Sequence, residues 1–182
     1  TESKTHRKMV LVHPVLVPYI SILDPDLTKT APQATIAAVG IDALDQAIES
    51  YTVQWRNDFS DAFAIHSIKM ILKYLPVVFK NPEDFDARDK MHNAATMSGA
   101  AFSNAQVGIA HSFGHAMGGL YHLPHGVCVG MMLPHSIEYG MKTSADLYGR
   151  LAREIGIAST SDSDAKAALK LRDIVRDLQR QL

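Results

Sequence analysis

Three short stretches of this sequence carry residues that can do chemistry together. Asp42 and Gln46 stand four residues apart, His111 and His115 repeat that spacing, and His125 follows in Pro124-His125-Gly126. On an α-helix, side chains four residues apart share one face, so each pair can point at a common centre. A carboxylate, an amide oxygen and imidazoles form a mixed nitrogen and oxygen donor set, which suits Fe(II), Zn(II), Mn(II) or Co(II). Each residue alone has an ordinary explanation. An Asp in a first helical turn stabilises the helix dipole, an i+4 Gln sits on a solvated face, and an interior His is a satisfied core polar group. The joint pattern is harder to explain by packing. Five of the nine histidines fall between His111 and His135, in text rich in Gly and other small residues. The spacing points to a metal or catalytic site, with packing as the alternative.

The elements that must position these residues are mostly helical. Residues 9–23 read as one or two short strands or extended pieces, broken by Pro14 and Pro18. Asp24-Pro25-Asp26 is a turn signal. Asp26, Thr28 or Thr30 is a candidate cap for a short helix near residues 31–37, which Gly40 should break. From Ile41 the residues Leu44, Ala47, Ile48 and Tyr51 follow at three- and four-residue steps and predict an amphipathic helix. A second helix is expected from Ser60-Asp61 to Asn81-Pro82, with Pro76 perturbing its end. A third runs from about Pro82 to Phe102, and the small residues of its second half let a neighbour approach closely. A fourth covers about Gln106–Tyr121; its several glycines, each unfavourable by roughly 1 kcal/mol in a helix, imply close backbone contact. A fifth starts at His125-Gly126 and should bend or stop at Pro134. Residues 144–155 and 162–182 read as surface helices. The expected class is mainly α, with short extended segments at the N-terminal end.

The 182 residues suit one domain of ordinary size. With 47% hydrophobic and 20% charged residues, a packed core is expected and disorder is not. A formal net charge of −1 gives no electrostatic case for nucleic acid or an acidic membrane surface. The single cysteine, Cys128, excludes an intrachain disulfide and a Cys-based zinc knuckle, and fits a reducing, cytoplasmic setting. No apolar run reaches the roughly 18 residues of a membrane span. The polar start TESKTHRKM, followed by strand-like residues, is not expected to be a signal peptide.

Three motifs, DPDLT near residue 24, GIDALDQAIESYT from Gly40 and GIAHSFGHAMGGLYHLPHGVCVGMMLPHSIEYG from Gly108, cover much of the chain. Together they resemble the iron-containing (group III) alcohol dehydrogenases, whose histidine signature has one His, a second four residues on, and a Pro-His-Gly. The resemblance implies metal ligands at Asp42, Gln46, His111 and His125. It places His115 near the nicotinamide, as a catalytic and cofactor-facing residue on the proton path, and Leu27 on the cofactor side of the cleft. His122, in a loop, and His135, packing or capping, are not ligands by this mapping. The implied activity is that of a metal-dependent, NAD(P)-linked alcohol dehydrogenase or aldehyde reductase. Its cofactors would be a divalent metal, Fe(II) first and Zn(II) as the alternative, with NAD or NADP. Its partners would be a small alcohol or aldehyde and further copies of itself, with no nucleic acid and no membrane.

Two departures qualify the resemblance. The family usually has His where this chain has Gln46, and an amide oxygen is a weaker donor than imidazole. The glycerol dehydrogenase branch manages with one Asp and two His, so three good ligands can suffice. Family members are also about twice as long, and this chain has no G-x-G-x-x-G or Gly-Gly-Gly-Ser loop to cradle a pyrophosphate. The expectation is a connection over residues 1–39 from a missing nucleotide-binding domain. Residues 40–182 would then be a helical metal-binding domain, incomplete at its C-terminus and inactive alone. Two other readings stand beside it. One is a metal-free reductase of the same superfamily, as in the maleylacetate reductase branch, toward which Gln46 leans. The other is a non-catalytic helical fragment.

Overall fold

The computed structural model describes residues 2, 4, 5 and 8–182. Part of the polar start TESKTHRKM lies outside the described residues. Among those described there are six α-helices and no strand. Residues 9–23 carry one 3-10 turn, Pro14–Leu16, and are otherwise irregular. Val12, Tyr19 and Ile22 are exposed there. The β-rich composition yields no strand because no second strand pairs with it among the described residues. The Asp24 turn forms as a second 3-10 element, Pro25–Thr28, in which the Asp24 carboxylate accepts from the Asp26 N–H at 3.0 Å.

The first helix, α1 (Gln33–Thr52), is longer than the sequence suggested and has no side-chain cap. It runs straight through Gly40. A Cβ at residue 40 would collide with the Leu75 side chain, so the missing side chain lets α2 pack close. That packing outweighs the roughly 1 kcal/mol propensity penalty of a helical Gly. The second helix, α2 (Asp58–Lys80), starts two residues before the expected Ser60 because Asn57 and Ser60 form a capping box. Pro76 lies inside its last turns. By length and composition α2 could cross a membrane. Here it is a core helix, with Ser67, Ile68, Ile71 and Leu75 fully buried.

The third helix, α3 (Phe85–Ala105), is capped by Asp84, whose carboxylate accepts from the Ala87 N–H. Its small residues do line a tight interface: Ala94, Ser98, Ala101 and Ala105 are fully buried. Two hydrogen bonds cross that interface, from the Ser67 hydroxyl to the Ala94 carbonyl and from the Ser98 hydroxyl to the Ala43 carbonyl, both 2.8 Å.

Helices α4 (Ile109–Tyr121) and α5 (His125–Glu154) are joined by a three-residue loop in which His122 is left-handed. The expected stop at Pro134 does not occur. Proline lacks the N–H that would bond the Gly130 carbonyl, and the Gln179 amide donates to that carbonyl instead, at 2.6 Å. The helix breaks later, at Ser144, so the separate helix expected at 144–155 is the second limb of α5. The last helix, α6 (Asp164–Gln181), packs on α5 through Ala167, Ala168, Leu171, Val175 and Leu178, all buried. His135 does not pack; its ring is exposed, 3.8 Å from Glu138. Cys128 is a buried free thiol.

The first turn of α5 touches the backbone of α1. A Cβ at Gly126 would fall on the Ala38 carbonyl group. Both partners are main chain, so neither can step aside. Gly126→Ala is therefore expected to destabilise the chain by about 1–3 kcal/mol, despite alanine's better helix propensity. Urea denaturation measures this, and an unchanged or higher midpoint would contradict it.

Candidate metal centre

Helix α1 presents Asp42, Asp45, Gln46 and Glu49 at i, i+3, i+4 and i+7, which is one face. Helix α4 brings His111 and His115 to that face, and His125 is the first residue of α5. Three of the four sequence-predicted ligands converge. Asp42 Oδ1 lies 3.5 Å from His111 Nε2 and 3.4 Å from His125 Nε2. Two donors about 2.1 Å from a tetrahedral ion stand about 3.4 Å apart. Asp42 Oδ1 is buried and makes no hydrogen bond. An oxygen withheld from water and facing two imidazole nitrogens fits a cation between them.

The fourth predicted ligand, Gln46, is placed against Asp42. Its Nε2 donates to Asp42 Oδ2 at 2.8 Å, and its Oε1 faces the Ser98 hydroxyl at 3.1 Å. His115 stands beside the donors, its ring centre 5.0 Å from that of His125 and 6.1 Å from that of His111. Burial, and then the charges of Lys8 and His111, hold the His115 pKa below the usual imidazole value. Burial likewise lowers that of His125, against the pull of Asp42. Leu27 lies elsewhere. It lines an apolar cavity of about 370 Å³ with Thr35, Val39, Met91 and Arg88, and none of the metal donors lines that cavity.

Sequence reasoning missed the carboxylates behind His111. Glu49 is buried and accepts from the backbone N–H groups of Gly108 and Ala110, both at 2.7 Å, and of His111 at 3.4 Å. Helix α4 has no cap of its own, so Glu49 supplies one from α1. A Cβ at Gly108 would come within 2.7 Å of Glu49 Oε1, which is why the chain has glycine there. Glu49 also takes His111 Nδ1 at 3.0 Å, and Asp45 Oδ2 lies 2.6 Å from the same nitrogen. These contacts keep a proton on Nδ1 and aim Nε2 at Asp42 and His125.

Among the described residues two groups come close enough to hold an ion: Asp42, His111 and His125, and Asp45, Glu49 and His111. In the second group, separations of 2.6 and 3.0 Å match a shared proton better than an interposed ion. Burial alone would lower the His111 pKa; the carboxylates of Asp42, Asp45 and Glu49 push it up to about 11. Burial raises Asp45 well above the usual carboxylate range, against the contact with His111. The His111 shift describes a proton held where three carboxylates surround one imidazole. A divalent ion between Asp42, His111 and His125 would supply the same positive charge. The signal for these residues is in the sequence: three acids on one face of α1, with no basic residue on that helix to pair them.

Residues 36–182 match the model of the Fe-containing alcohol dehydrogenase family, C-terminal. The chain belongs to that family. It is 36% identical to the NAD-dependent methanol dehydrogenase of Bacillus methanolicus over 92% of this chain and 44% of that one. It is 35% identical to the NADPH-dependent butanol dehydrogenase of Clostridium saccharobutylicum over 100% of this chain and 46% of that one. An iron-containing alcohol dehydrogenase from Thermococcus thioreducens superposes with a TM-score of 0.84 at 34% identity, covering 94% of this chain and 43% of the solved one. The chain thus spans less than half the length of the curated relatives it matches. The family assignment agrees with the resemblance carried by DPDLT, GIDALDQAIESYT and the histidine signature, and with the all-helical fold.

Proposed function

We propose that this chain carries the metal-binding part of an NAD(P)-linked alcohol dehydrogenase or aldehyde reductase. The observation that carries the reading is the unpartnered, buried Asp42 Oδ1, set between His111 Nε2 and His125 Nε2 at tetrahedral donor spacing. Asp42, His111 and His125 would hold a divalent ion, Fe(II) by family and Zn(II) as the alternative. When bound, the ion supplies Lewis acidity at the oxygen of an alcohol or aldehyde, and the nicotinamide exchanges the hydride.

The chain's own residues do the rest. Glu49 fixes α4 and the His111 tautomer, so the Nε2 donor points at the ion's place. Gln46 holds the second oxygen of Asp42, leaving Oδ1 free to bind. His115, half-buried beside His125 and without a place in the donor group, would take up the proton that leaves the alcohol oxygen and pass it outward. Leu27 would line the cofactor side, on the apolar cavity under the Pro25–Thr28 turn. The metal-free reductase reading is disfavoured by the placing of that one oxygen at donor spacing from two imidazoles, where a proton on His111 would answer only one of the two contacts. A cytoplasmic homo-oligomer remains part of the proposal. It is supported by the single, buried Cys128, which forms no disulfide, and the exposed apolar residues between Met9 and Ile22.

A chimera tests the function: the first half of the Bacillus methanolicus methanol dehydrogenase joined ahead of this chain. Alcohol-dependent reduction of NAD in the presence of Fe(II) or Zn(II), lost on Asp42→Ala, is expected. A folded, metal-loaded chimera that turns over no alcohol would overturn the reading. The chain by itself is expected to show no such turnover, because it has no Gly-rich turn to hold the pyrophosphate and positioning of the acceptor is worth several kcal/mol. Gln46→His is expected to tighten divalent-ion binding, since it offers an imidazole donor at unchanged formal charge. Equal or weaker affinity would show that residue 46 only steadies Asp42.

A further inference from the structure

One carboxylate of the site is engaged, among the described residues, with the His111 ring alone. Asp45 sits in the middle of α1, fully buried, and neither of its oxygens makes a well-directed hydrogen bond. It caps no helix. Among the described residues its one ion-pair contact is to His111 Nδ1, at 2.6 Å. Glu49 approaches the same nitrogen, but both of its oxygens are already engaged by the N–H groups at the start of α4. The charge of Glu49 is therefore divided between a helix terminus and the imidazole, whereas that of Asp45 acts on the imidazole alone. A buried carboxylate is unfavourable to keep even beside an imidazole, and an apolar residue would pack there at less cost.

We propose that Asp45 is a positioning residue whose carboxylate, 2.6 Å from His111 Nδ1, makes the Nε2 of that ring a stronger donor to a divalent ion held by Asp42, His111 and His125. The inference rests on the metal reading above and deepens it. A carboxylate drawing on Nδ1–H places more electron density on the opposite nitrogen, which raises the basicity of a metal-binding imidazole. The gain matters at this site because the amide of residue 46 is the weakest potential donor present. With only three strong donors, the strength of each one weighs more in the affinity.

The test uses the full chain without a His-tag, titrated with Co(II) and followed by its d–d absorption, then with Zn(II) in competition. Asp45→Asn keeps the shape and removes the charge; Asp45→Thr removes the charge with a smaller polar group. Both are expected to weaken Co(II) binding by about 10- to 100-fold, with the absorption envelope of the bound ion retained. In Asp45→Asn the amide oxygen can still face Nδ1–H, and Asp42 and Glu49 remain beside the imidazole, so the metal-free unfolding midpoint should fall far less than in Glu49→Ala. In the metal-free protein, a far-downfield His111 Nδ1 proton resonance should be present and should shift upfield in Asp45→Asn. Affinity within about twofold of the parent chain, or an affinity loss matched by a fall in the metal-free midpoint as large as that of Glu49→Ala, would overturn the proposal while leaving the metal reading intact. A parent chain that binds no Co(II) would overturn both.

Discussion

Asp42→Ala is expected to weaken divalent-ion binding by at least about a hundredfold, since loss of an outer partner alone can reach that figure. Asp42 is the only carboxylate in the convergent group, and its Oδ1 is the atom that faces both imidazoles. Without it, only the two imidazoles remain, and the negative charge that draws a cation to that point is lost. Isothermal titration of the untagged chain with Zn(II) measures the effect. Circular dichroism should show the helical fold unchanged, because among the described residues Asp42 makes one hydrogen bond, to Gln46. Affinity equal to that of the parent chain would place the ion elsewhere.

Glu49→Ala should act on stability rather than on affinity alone. The carboxylate joins α1 to the start of α4 through three backbone N–H groups and the His111 ring. Its removal orphans those donors and leaves a buried imidazole short of one counter-charge. Removing one member of a buried ionic cluster typically costs about 3–5 kcal/mol, and the cap adds to that. Urea unfolding of the metal-free chain is expected to show a loss of that size. A change under about 1 kcal/mol would show that α4 is held by its apolar contacts with α5.

The two predictions separate what the sequence made legible from what it hid. The i,i+4 spacing of Asp42 with Gln46 and of His111 with His115 was readable, because helical periodicity fixes which side chains share a face. That His111 and His125 meet Asp42 required the crossing of three helices, and only the histidine signature hinted at it. Asp45 and Glu49 were in plain text and passed over, because a carboxylate on a helix is usually solvated. Their role depends on burial, at which the three acids on one face of α1, with no basic residue on that helix, only hint. Gly40 and Pro134 misled in the same way. Both are local helix breakers, and both are overridden by a tertiary partner: Leu75 packing into the space at Gly40, and the Gln179 amide serving the carbonyl that Pro134 leaves free. The Val- and Ile-rich residues 9–23 misled in the opposite sense, since strand propensity has no effect without a partner strand.

The most direct test of the metal centre is a crystal structure of the untagged chain loaded with Zn(II), with anomalous data at the zinc edge. The expected result is one ion bound at roughly 2.0–2.3 Å by Asp42 Oδ1, His111 Nε2 and His125 Nε2, with His111 Nδ1 still held by Asp45 and Glu49. An anomalous peak bound by other residues, or none near Asp42, would contradict the account.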